Sequence, residues 1–310
     1  MKRLAALVLC VLLLACGAKP VPAAEAQPLS TPLPTPEDAP EEVVVIRSES
    51  PTEKPVFTET PTDTPAPTPE PTPEPTPEPE RIDGERLASG EFDSYFDDAV
   101  FVGDSITHSF QNYVASKRNR EGYCLGEAKF LGVISMSALR AARNRVNDDG
   151  INFTYRGKAR SLTDALEGIG AKKVFVLFGV NELEWCRWED ETAAFEKVIK
   201  LIRSVDPDTE IVIQAVLPVT ERYCNRKKLD IEKWNSYNDV LQKLCEENEV
   251  AFLSFAEALM TDGAYLDDAL SNDGQCHLNE QGNDIWLKAL REYAARQTYP
   301  DAVFETQEGD

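Results

Sequence analysis

Histidine is scarce in this chain. Only His108 and His277 occur among 310 residues, so any chemistry that needs an imidazole base has two positions to draw on. His108 stands three residues after Ser105 in a helix-compatible stretch, and we interpret it as a solvated helix residue. His277 lies in a polar loop far downstream. It is the candidate base, because an imidazole can accept and return a proton near neutral pH.

Positive charge is also in short supply. Lys and Arg total 32 against 54 Asp and Glu, which gives a formal net charge of −22. This balance argues against a nucleic-acid partner and against a direct electrostatic hold on anionic lipid or teichoic acid. The chain also lacks a phosphate-binding loop, a zinc-ligand spacing and a dinucleotide fingerprint. We therefore expect no cofactor and no metal.

The apolar run at the N-terminus is too short to span a membrane. It extends from Leu4 to Ala15 behind Lys2 and Arg3, whereas a spanning helix needs about 20 residues. The pattern predicts a signal peptide at residues 1–15. The run closes on Leu-Leu-Ala-Cys, which resembles the lipobox of bacterial lipoproteins. The resemblance implies that Cys16 is acylated and anchors the chain at the cell surface, on the outer face of the bacterial cytoplasmic membrane. The alternative is an ordinary signal peptide with an incidental cysteine.

Pro, Thr and Glu dominate residues 27–80, which end in a Pro-Thr-Pro-Glu repeat. Such a segment has too few apolar residues to offset its ordering entropy, so we predict that residues 16–82 form a lipidated, disordered linker. Alternating prolines favour polyproline II, and ~3.1 Å per residue over roughly 50 residues gives a reach of about 150 Å. That length suits a tether through a thick cell wall. A glycosylated spacer is a compatible interpretation.

The remaining portion of about 220 residues can bury one substantial core. We predict one domain at 83–300 and an acidic tail at 301–310. Strand-like runs alternate with helical patterns, which predicts a three-layer α/β/α sandwich around a central parallel sheet of about five strands. The charged stretch 141–160 predicts an irregular surface insertion. The predicted strands are 99–102, 129–134, 173–178, 210–217 and 250–255, and the predicted helices after the first are 162–169, 192–205, 231–248 and 280–296.

Three turns carry the chemical candidates. One apolar run ends at Gly103-Asp104-Ser105, and another ends at Gly179-Val180-Asn181-Glu182. Downstream, Asp273-Gly274-Gln275-Cys276-His277 precedes an amphipathic helix. A strand that stops at a turn leaves Ser105 at the mouth of a sheet, where backbone N–H groups can stabilise an anion. A Gly-Asp-Ser turn alone is weak evidence, because these residues fill turns generally.

Together, and in this order, the blocks resemble the SGNH hydrolases, the GDSL esterase/lipase family, over most of the predicted domain. The resemblance implies the SGNH, flavodoxin-like version of the sandwich and a serine esterase. Ser105 would be the nucleophile, His277 the base, and Asp273 the acid that fixes the imidazole tautomer. The oxyanion hole would comprise the backbone N–H groups of Ser105 and Ser135 and the side-chain amide of Asn181.

The second block departs from the family pattern, because its glycine has no unambiguous counterpart. The best in-line match places Ser135 there, with Gly132 as the other candidate. The position has to offer a backbone N–H, which serine also provides. The register of this block stays open between the two.

The last block also departs from the pattern. The family's acid lies three residues before the histidine, whereas Asp273 lies four before His277. We expect Gly274 to absorb the extra residue in the loop. Asp267 and Asp268 are fallback partners, and a backbone carbonyl is a further way to orient the ring.

Several neighbours of these blocks have more than one interpretation. Glu182 stands where the family has Asp, and we interpret it as a hydrogen-bonding loop residue. Trp185 and Trp188 could wall a substrate cleft, although core packing of at least one is an equal alternative. Beyond Cys16 the number of cysteines is odd, so at least one thiol is free unless two chains pair, and one bridge is possible. These cysteines are Cys124, Cys186, Cys224, Cys245 and Cys276.

The sequence thus predicts a surface-tethered, monomeric serine esterase that removes a short acyl group, foremost acetyl, from a cell-wall or other polysaccharide. Membrane contact is expected through the lipid anchor only. A lipase, thioesterase or lysophospholipase of the same fold is the second interpretation, and it requires an apolar acyl channel. The third is a non-catalytic SGNH-like binding domain whose altered Asp-to-His spacing marks a lost triad.

The lipobox generates a prediction about location. Replacing Cys16 with Ser removes the thiol that would carry the lipid, so Cys16→Ser should leave the membrane fraction and keep its specific esterase activity. Fractionation and immunoblotting measure this, with Cys10→Ser, inside the apolar run, as the matched control. Retention of Cys16→Ser in washed membranes contradicts the anchor.

Overall fold

The structure is a computed structural model that describes residues 79–305. The predicted signal peptide, Cys16, the linker up to residue 78 and tail residues 306–310 lie outside the described residues. Within the described part, none of the helices combines the length and apolar character that crossing a membrane requires.

Short strands and longer helices alternate along the described chain. The strands are β1 (Arg81–Ile82), β2 (Ala99–Gly103), β3 (Lys129–Gly132), β4 (Phe153–Tyr155), β5 (Lys158–Arg160), β6 (Lys173–Leu177), β7 (Glu210–Gln214), β8 (Ala251–Leu253), β9 (Met260–Thr261), β10 (Tyr265–Leu266) and β11 (Val303–Phe304). The α-helices are α1 (Gly84–Ser89), α2 (Ser105–Glu121), α3 (Ala138–Ala141), α4 (Leu162–Ile169), α5 (Trp188–Val205), α6 (Glu221–Lys227), α7 (Ile231–Glu247) and α8 (Glu280–Thr298). Short 3₁₀ helices cover Asp93–Phe96, Glu257–Leu259 and Asp268–Leu270.

Five parallel strands form the central sheet in the order β3-β2-β6-β7-β8, which confirms the predicted fold class. Strand β2 pairs with β3 on one side and with β6 on the other. After β2 the chain continues to β3 on one side of β2, and after β6 it continues to β7 on the other side. The loops that follow β2 and β6 therefore diverge and leave a crevice at the carboxyl ends of these strands. The turns that follow these two strands contain Ser105 and Asn181.

Helices cover both faces of the sheet, so its inner strands are apolar throughout. All of β2 is buried, and Phe101 stacks on Phe130 of β3 and on Phe175 of β6 with ring centroids 5.1 and 4.9 Å apart. On one face α2 packs beside α8, where Phe110 stacks on Trp286 at 4.0 Å. Helix α5 contacts α3, α4 and α7 in a separate group. The layers are those of an α/β/α sandwich.

Helix α2 starts immediately after β2 for local reasons. The Asp104 side chain accepts a hydrogen bond from the Ile106 N–H at 2.8 Å, which caps the helix N-terminus. At Gly132, a Cβ atom would lie 2.5 Å from the backbone nitrogen of His108. Glycine at this position therefore lets β3 approach the first turn of α2, and the contact fixes the height of that turn above the sheet.

The stretch 141–160 is more regular than we expected. It contains an antiparallel hairpin of β4 and β5, turned by Arg156 and Gly157 with φ angles of +50° and +71°. Two consecutive positive φ angles mark a type I′ turn, whose sequence signal is Asn-Gly, Asp-Gly or Gly-Gly. Arg156-Gly157 has only the glycine of that signal, so the prediction of an irregular insertion was wrong for residues 153–160. Residues 142–152 contain neither helix nor strand, as we predicted.

Helix α4 has the predicted bounds, and the other predicted elements are present with shifted ends. Helices α1, α3 and α6 and the short ladders were not predicted. Strand β1 pairs in parallel with β11. Strand β1 lies just before the expected domain start at residue 83, and β11 lies just after the expected end at residue 300.

Candidate active site

Ser105 is the first residue of α2 and is half-buried at the carboxyl edge of the sheet. As an N-terminal helical residue, its N–H has no carbonyl acceptor within the helix, and no acceptor for it occurs elsewhere in residues 79–305. The helix dipole adds partial positive charge at the same point. A negative charge that develops on an oxygen beside Ser105 is therefore stabilised.

His277 links Ser105 to Asp273. Its Nε2 lies 2.9 Å from the Ser105 Oγ, and its Nδ1 lies 2.7 Å from Asp273 Oδ2. When Nδ1 carries the proton and donates it to Asp273, Nε2 is free to accept from the serine hydroxyl. The structure thus brings together the three side chains that the sequence proposed as nucleophile, base and acid.

The loop that carries His277 is closed by its own backbone. The Asn272 N–H donates to the His277 carbonyl at 2.8 Å, so the chain returns on itself around Asp273. Gly274 adopts a left-handed φ of +64°, and its carbonyl accepts from the Thr220 hydroxyl at 2.8 Å. Glycine takes this conformation without strain. The extra residue between acid and histidine is absorbed at Gly274, as we expected.

The same loop keeps Asp273 ionised. Partial burial acts to raise the pKa of Asp273, but hydrogen bonds from the His277 side chain and the Gln275 N–H outweigh it, so the pKa lies below its usual value. The fallback acids are engaged or placed elsewhere. Asp267 accepts from the Ala269 N–H at 2.8 Å, and neither Asp267 nor Asp268 bonds to His277.

The two candidates for the second block differ in conformation. Ser135 has a φ of +61°, a left-handed angle that favours glycine, whereas Gly132 ends β3 against α2. Asn181 joins this turn to the end of β6, because its side-chain amide donates to the Met136 carbonyl at 2.9 Å. An amide nitrogen carries two hydrogens, so one stays available for a ligand. The backbone geometry favours Ser135 as the counterpart of the family glycine.

The two tryptophans differ in environment: Trp185 is exposed, as a cleft wall requires, and Trp188 packs against another aromatic ring. Trp185 is 69% exposed, and its indole N–H donates to the Asn181 carbonyl at 2.7 Å. Trp188 begins α5 and packs against Tyr237 with ring centroids 5.5 Å apart. Ile134, beside Ser135, is 62% exposed. Exposed apolar groups therefore lie beside two of the candidate oxyanion donors, Ser135 and Asn181.

Other candidate residues have simpler placements. His108 is half-buried on α2, one turn beyond Ser105. All five cysteines in residues 79–305 are free thiols. One group of potential metal-ligating atoms occurs in that same range, where atoms of Asp273, Cys276 and His277 lie within 4.8 Å of one another.

Three carboxyl groups are buried beneath the site, and sequence reasoning missed the cluster. Burial raises the pKa of Asp104 to about 7, with the nearby Glu182 adding to the effect. Burial also raises the pKa of Glu182 and, still further, that of Glu191, whose shift the neighbouring acids reinforce. No oxygen of either glutamate side chain has a hydrogen-bond partner in the described residues, although Ser137 and the first N–H groups of α3 face Glu182.

Glu182 lies in the loop after β6, as we predicted, but its carboxyl is fully buried and neither oxygen has a hydrogen-bond partner in the described residues, so the predicted hydrogen-bonding role is corrected. Glu191 lies in the acidic run Glu189-Asp190-Glu191, where the pattern alone indicates a solvated helix start. Its burial follows from packing against remote parts of the chain and leaves no local signal.

Comparison with known proteins gives a consistent picture. The model of the GDSL-like lipase/acylhydrolase family matches residues 101–285, more than half of the chain. The fold resembles a Bacteroides fragilis protein provisionally named an acylhydrolase, with a TM-score of 0.50 and 14% identity, over 64% of this chain and 86% of that one. It also resembles a GDSL-like lipase from Bacteroides thetaiotaomicron, with a TM-score of 0.50 and 14% identity, over 69% and 97%. At such identity the structural likeness shows the fold alone. No curated protein matches the chain in sequence.

The buried acids generate a prediction about stability and pH. Because the pKa of Glu191 is raised on folding, the native state binds more protons than the unfolded state above the usual carboxyl pKa, and stability falls as pH rises. Between about pH 5 and about pH 9, the melting temperature of Glu191→Gln should therefore fall less than that of the wild type. Thermal melts followed by circular dichroism measure this. Glu189→Gln, exposed on the same helix, should follow the wild type; a Glu191→Gln curve parallel to wild type contradicts the prediction.

Proposed function

The chain belongs to the GDSL-like lipase/acylhydrolase family and is a carboxylic ester hydrolase, and from this premise we propose a surface-tethered serine esterase that removes short acyl groups, acetyl above all, from a polysaccharide. The observation that carries the catalytic part is the continuous contact from Ser105 through His277 to Asp273, with separations of 2.9 and 2.7 Å. This arrangement is the one that nucleophilic acyl transfer requires.

In the first half-reaction, the Ser105 hydroxyl attacks the acyl carbon while His277 Nε2 takes its proton. Asp273 stabilises the imidazolium, because its carboxylate accepts from Nδ1 and stays ionised. The tetrahedral intermediate then collapses as His277 returns the proton to the departing sugar oxygen. Water repeats the sequence on the acyl-enzyme and releases the carboxylic acid.

Three donors would stabilise the oxyanion of each intermediate. The Ser105 N–H stands at the start of α2, and the Ser135 N–H lies in a left-handed turn. Asn181 supplies its second amide hydrogen while the first is held by Met136. Loss of one such donor lowers kcat by about 10²–10³ in a well-studied serine hydrolase.

A short acyl group is favoured by where the apolar space lies. A cavity of about 390 Å³, with more apolar than polar lining, is formed by α2, β3, the β4–β5 hairpin and the end of α4. It touches α2 at Gln111, Ala115 and Arg118 and does not include Ser105. At about 1.5 Å per residue, Ala115 is about 15 Å along the helix from Ser105. Ser105 does not line this apolar space, which weighs against the lipase interpretation.

A polysaccharide substrate is supported by the rim of the site. Trp185 is exposed beside Asn181, and a hydrogen bond from its ring nitrogen fixes its orientation. An aromatic face with one anchored polar edge suits the apolar face of a sugar ring. The lipobox-like junction at Cys16 and the long Pro-Thr-Glu linker support a site outside the membrane, at the distance of a cell wall. These sequence features are the support for surface location.

The nucleophile gives the test of the proposed function. Ser105→Ala removes the attacking oxygen, so hydrolysis of p-nitrophenyl acetate should fall by at least about 10⁴-fold in kcat, with the fold retained by circular dichroism. Ser109→Ala, one turn along α2, is the control and should stay near wild type. Wild-type rates should decline from acetate to octanoate esters. A Ser105→Ala enzyme with more than trace turnover refutes the assignment, and an inactive wild type favours the binding-domain interpretation.

The acid is tested by its own series. Asp273→Asn should favour the wrong imidazole tautomer and lower kcat at least about tenfold, less than the ~10⁴ seen in a serine protease because the oxyanion donors remain. His277→Ala should be far worse. Asp267→Asn and Asp268→Asn serve as matched controls, since both acids lie nearby without contacting His277. If Asp273→Asn is silent while either control is crippled, another residue orients the histidine.

A further inference from the structure

A thiol lies beside His277 and Asp273, and the catalytic relay proposed above, from Ser105 through His277 to Asp273, does not use it. Cys276 Sγ is 3.8 Å from His277 Nδ1, on the same side of the ring as Asp273 Oδ2, which is 2.7 Å from Nδ1. We propose that Asp273, Cys276 and His277 form a binding site for one borderline-soft divalent cation, Zn²⁺ or Cd²⁺, and that its occupancy switches off the esterase.

The three atoms approximate one face of a tetrahedral metal site. With Zn–S near ~2.3 Å and Zn–N near ~2.0 Å, two ligands at a tetrahedral angle stand about 3.5 Å apart for sulfur and nitrogen and about 3.3 Å apart for nitrogen and oxygen. Relative to Nδ1, the sulfur must therefore move inward by about 0.3 Å and the carboxylate outward by about 0.6 Å. The sulfur and the carboxylate oxygen, which lie within 4.8 Å of each other, must stand about 3.5 Å apart. The fourth position faces solvent, since the side chains of His277 and Asp273 are 28% and 30% exposed.

The surroundings favour a cation at this point. The Cys276 sulfur is buried, and the Asp273 carboxylate places negative charge within 4.8 Å of it. A cation bound between them compensates the charge of a thiolate. Thiolate, imidazole and carboxylate together select zinc-like ions over Mg²⁺ or Ca²⁺.

Binding has a defined proton balance and a defined effect on the relay. The Cys276 thiol loses its proton to solvent as the sulfur–metal bond forms. His277 stays neutral, but its proton leaves Nδ1, where the metal binds, and Nε2 takes up a proton from solvent. An Nε2 that carries a proton can no longer accept one from Ser105. The metal also displaces Asp273 from its hydrogen bond to Nδ1.

The site is tested on the purified protein by titration with Cd²⁺, whose bond to a thiolate produces an ultraviolet charge-transfer band. The wild type should show this band at one equivalent and release one proton per metal ion. Cys276→Ser should lose the band. This measurement does not depend on the proposed esterase function, so failure of one is distinguishable from failure of the other.

A second arm measures inhibition by Zn²⁺, with each variant's ester hydrolysis compared with its own rate in chelator. Cys276→Ser should need at least about tenfold more Zn²⁺ for half-inhibition, because a soft ligand has been replaced by a poor one. Cys186→Ser removes a more accessible thiol and should behave as wild type, and Mg²⁺ should have no effect. Absence of the Cd²⁺ band in wild type, or its survival in Cys276→Ser, overturns the proposal. So does equal zinc sensitivity of the two enzymes.

Discussion

The parallel pairing of β2 with both of its neighbours is the constraint on which the site depends. Gly103, the last residue of β2, stands opposite Gly132 in β3 and Leu177 in β6. All three strands therefore end at the same level of the sheet, and the turns that follow them border the same crevice. A Cβ on Gly103 would lie 2.6 Å from the Leu177 carbonyl oxygen, so the alignment leaves no room for a side chain there. Ser105, the Ser135 turn and Asn181 take their relative positions from this alignment.

His277 is positioned by a loop and not by the end of a strand. Its loop lies outside the sheet and obtains its shape from internal hydrogen bonds around Asp273 and from the contact of Gly274 with Thr220. Helix α8 then starts at once, capped by Asn279, and packs through Trp286 on Phe110 of α2. The helix that begins with the serine and the helix that follows the histidine are thus packed together. The 2.9 Å contact between the two side chains rests on that packing.

The buried carboxyl groups beneath the site destabilise the fold. Asp104 caps the helix that presents Ser105, yet one of its carboxylate oxygens has no partner in the described residues, and Glu182 and Glu191 lie nearby with none for either oxygen. Burying carboxyl groups without partners destabilises a fold unless they hold their protons. Strained or costly arrangements of this kind persist where function constrains the backbone. Here the constrained segments are the start of α2 and the turn that carries Asn181.

The sequence by itself determined the fold class, the family and the order of the blocks, because apolar strand runs and the turns that end them are local patterns. It also singled out Asp273, since the acid and His277 share one short loop in which Gly274 was expected to accommodate the extra residue. Tertiary structure decided the rest. Only packing between remote segments could bury Glu191 inside an acidic run, or expose Trp185 while covering Trp188. The choice between Ser135 and Gly132 also depends on backbone geometry, which favours Ser135. The burial of a side chain is imposed by neighbours far along the chain, and no local pattern contains it.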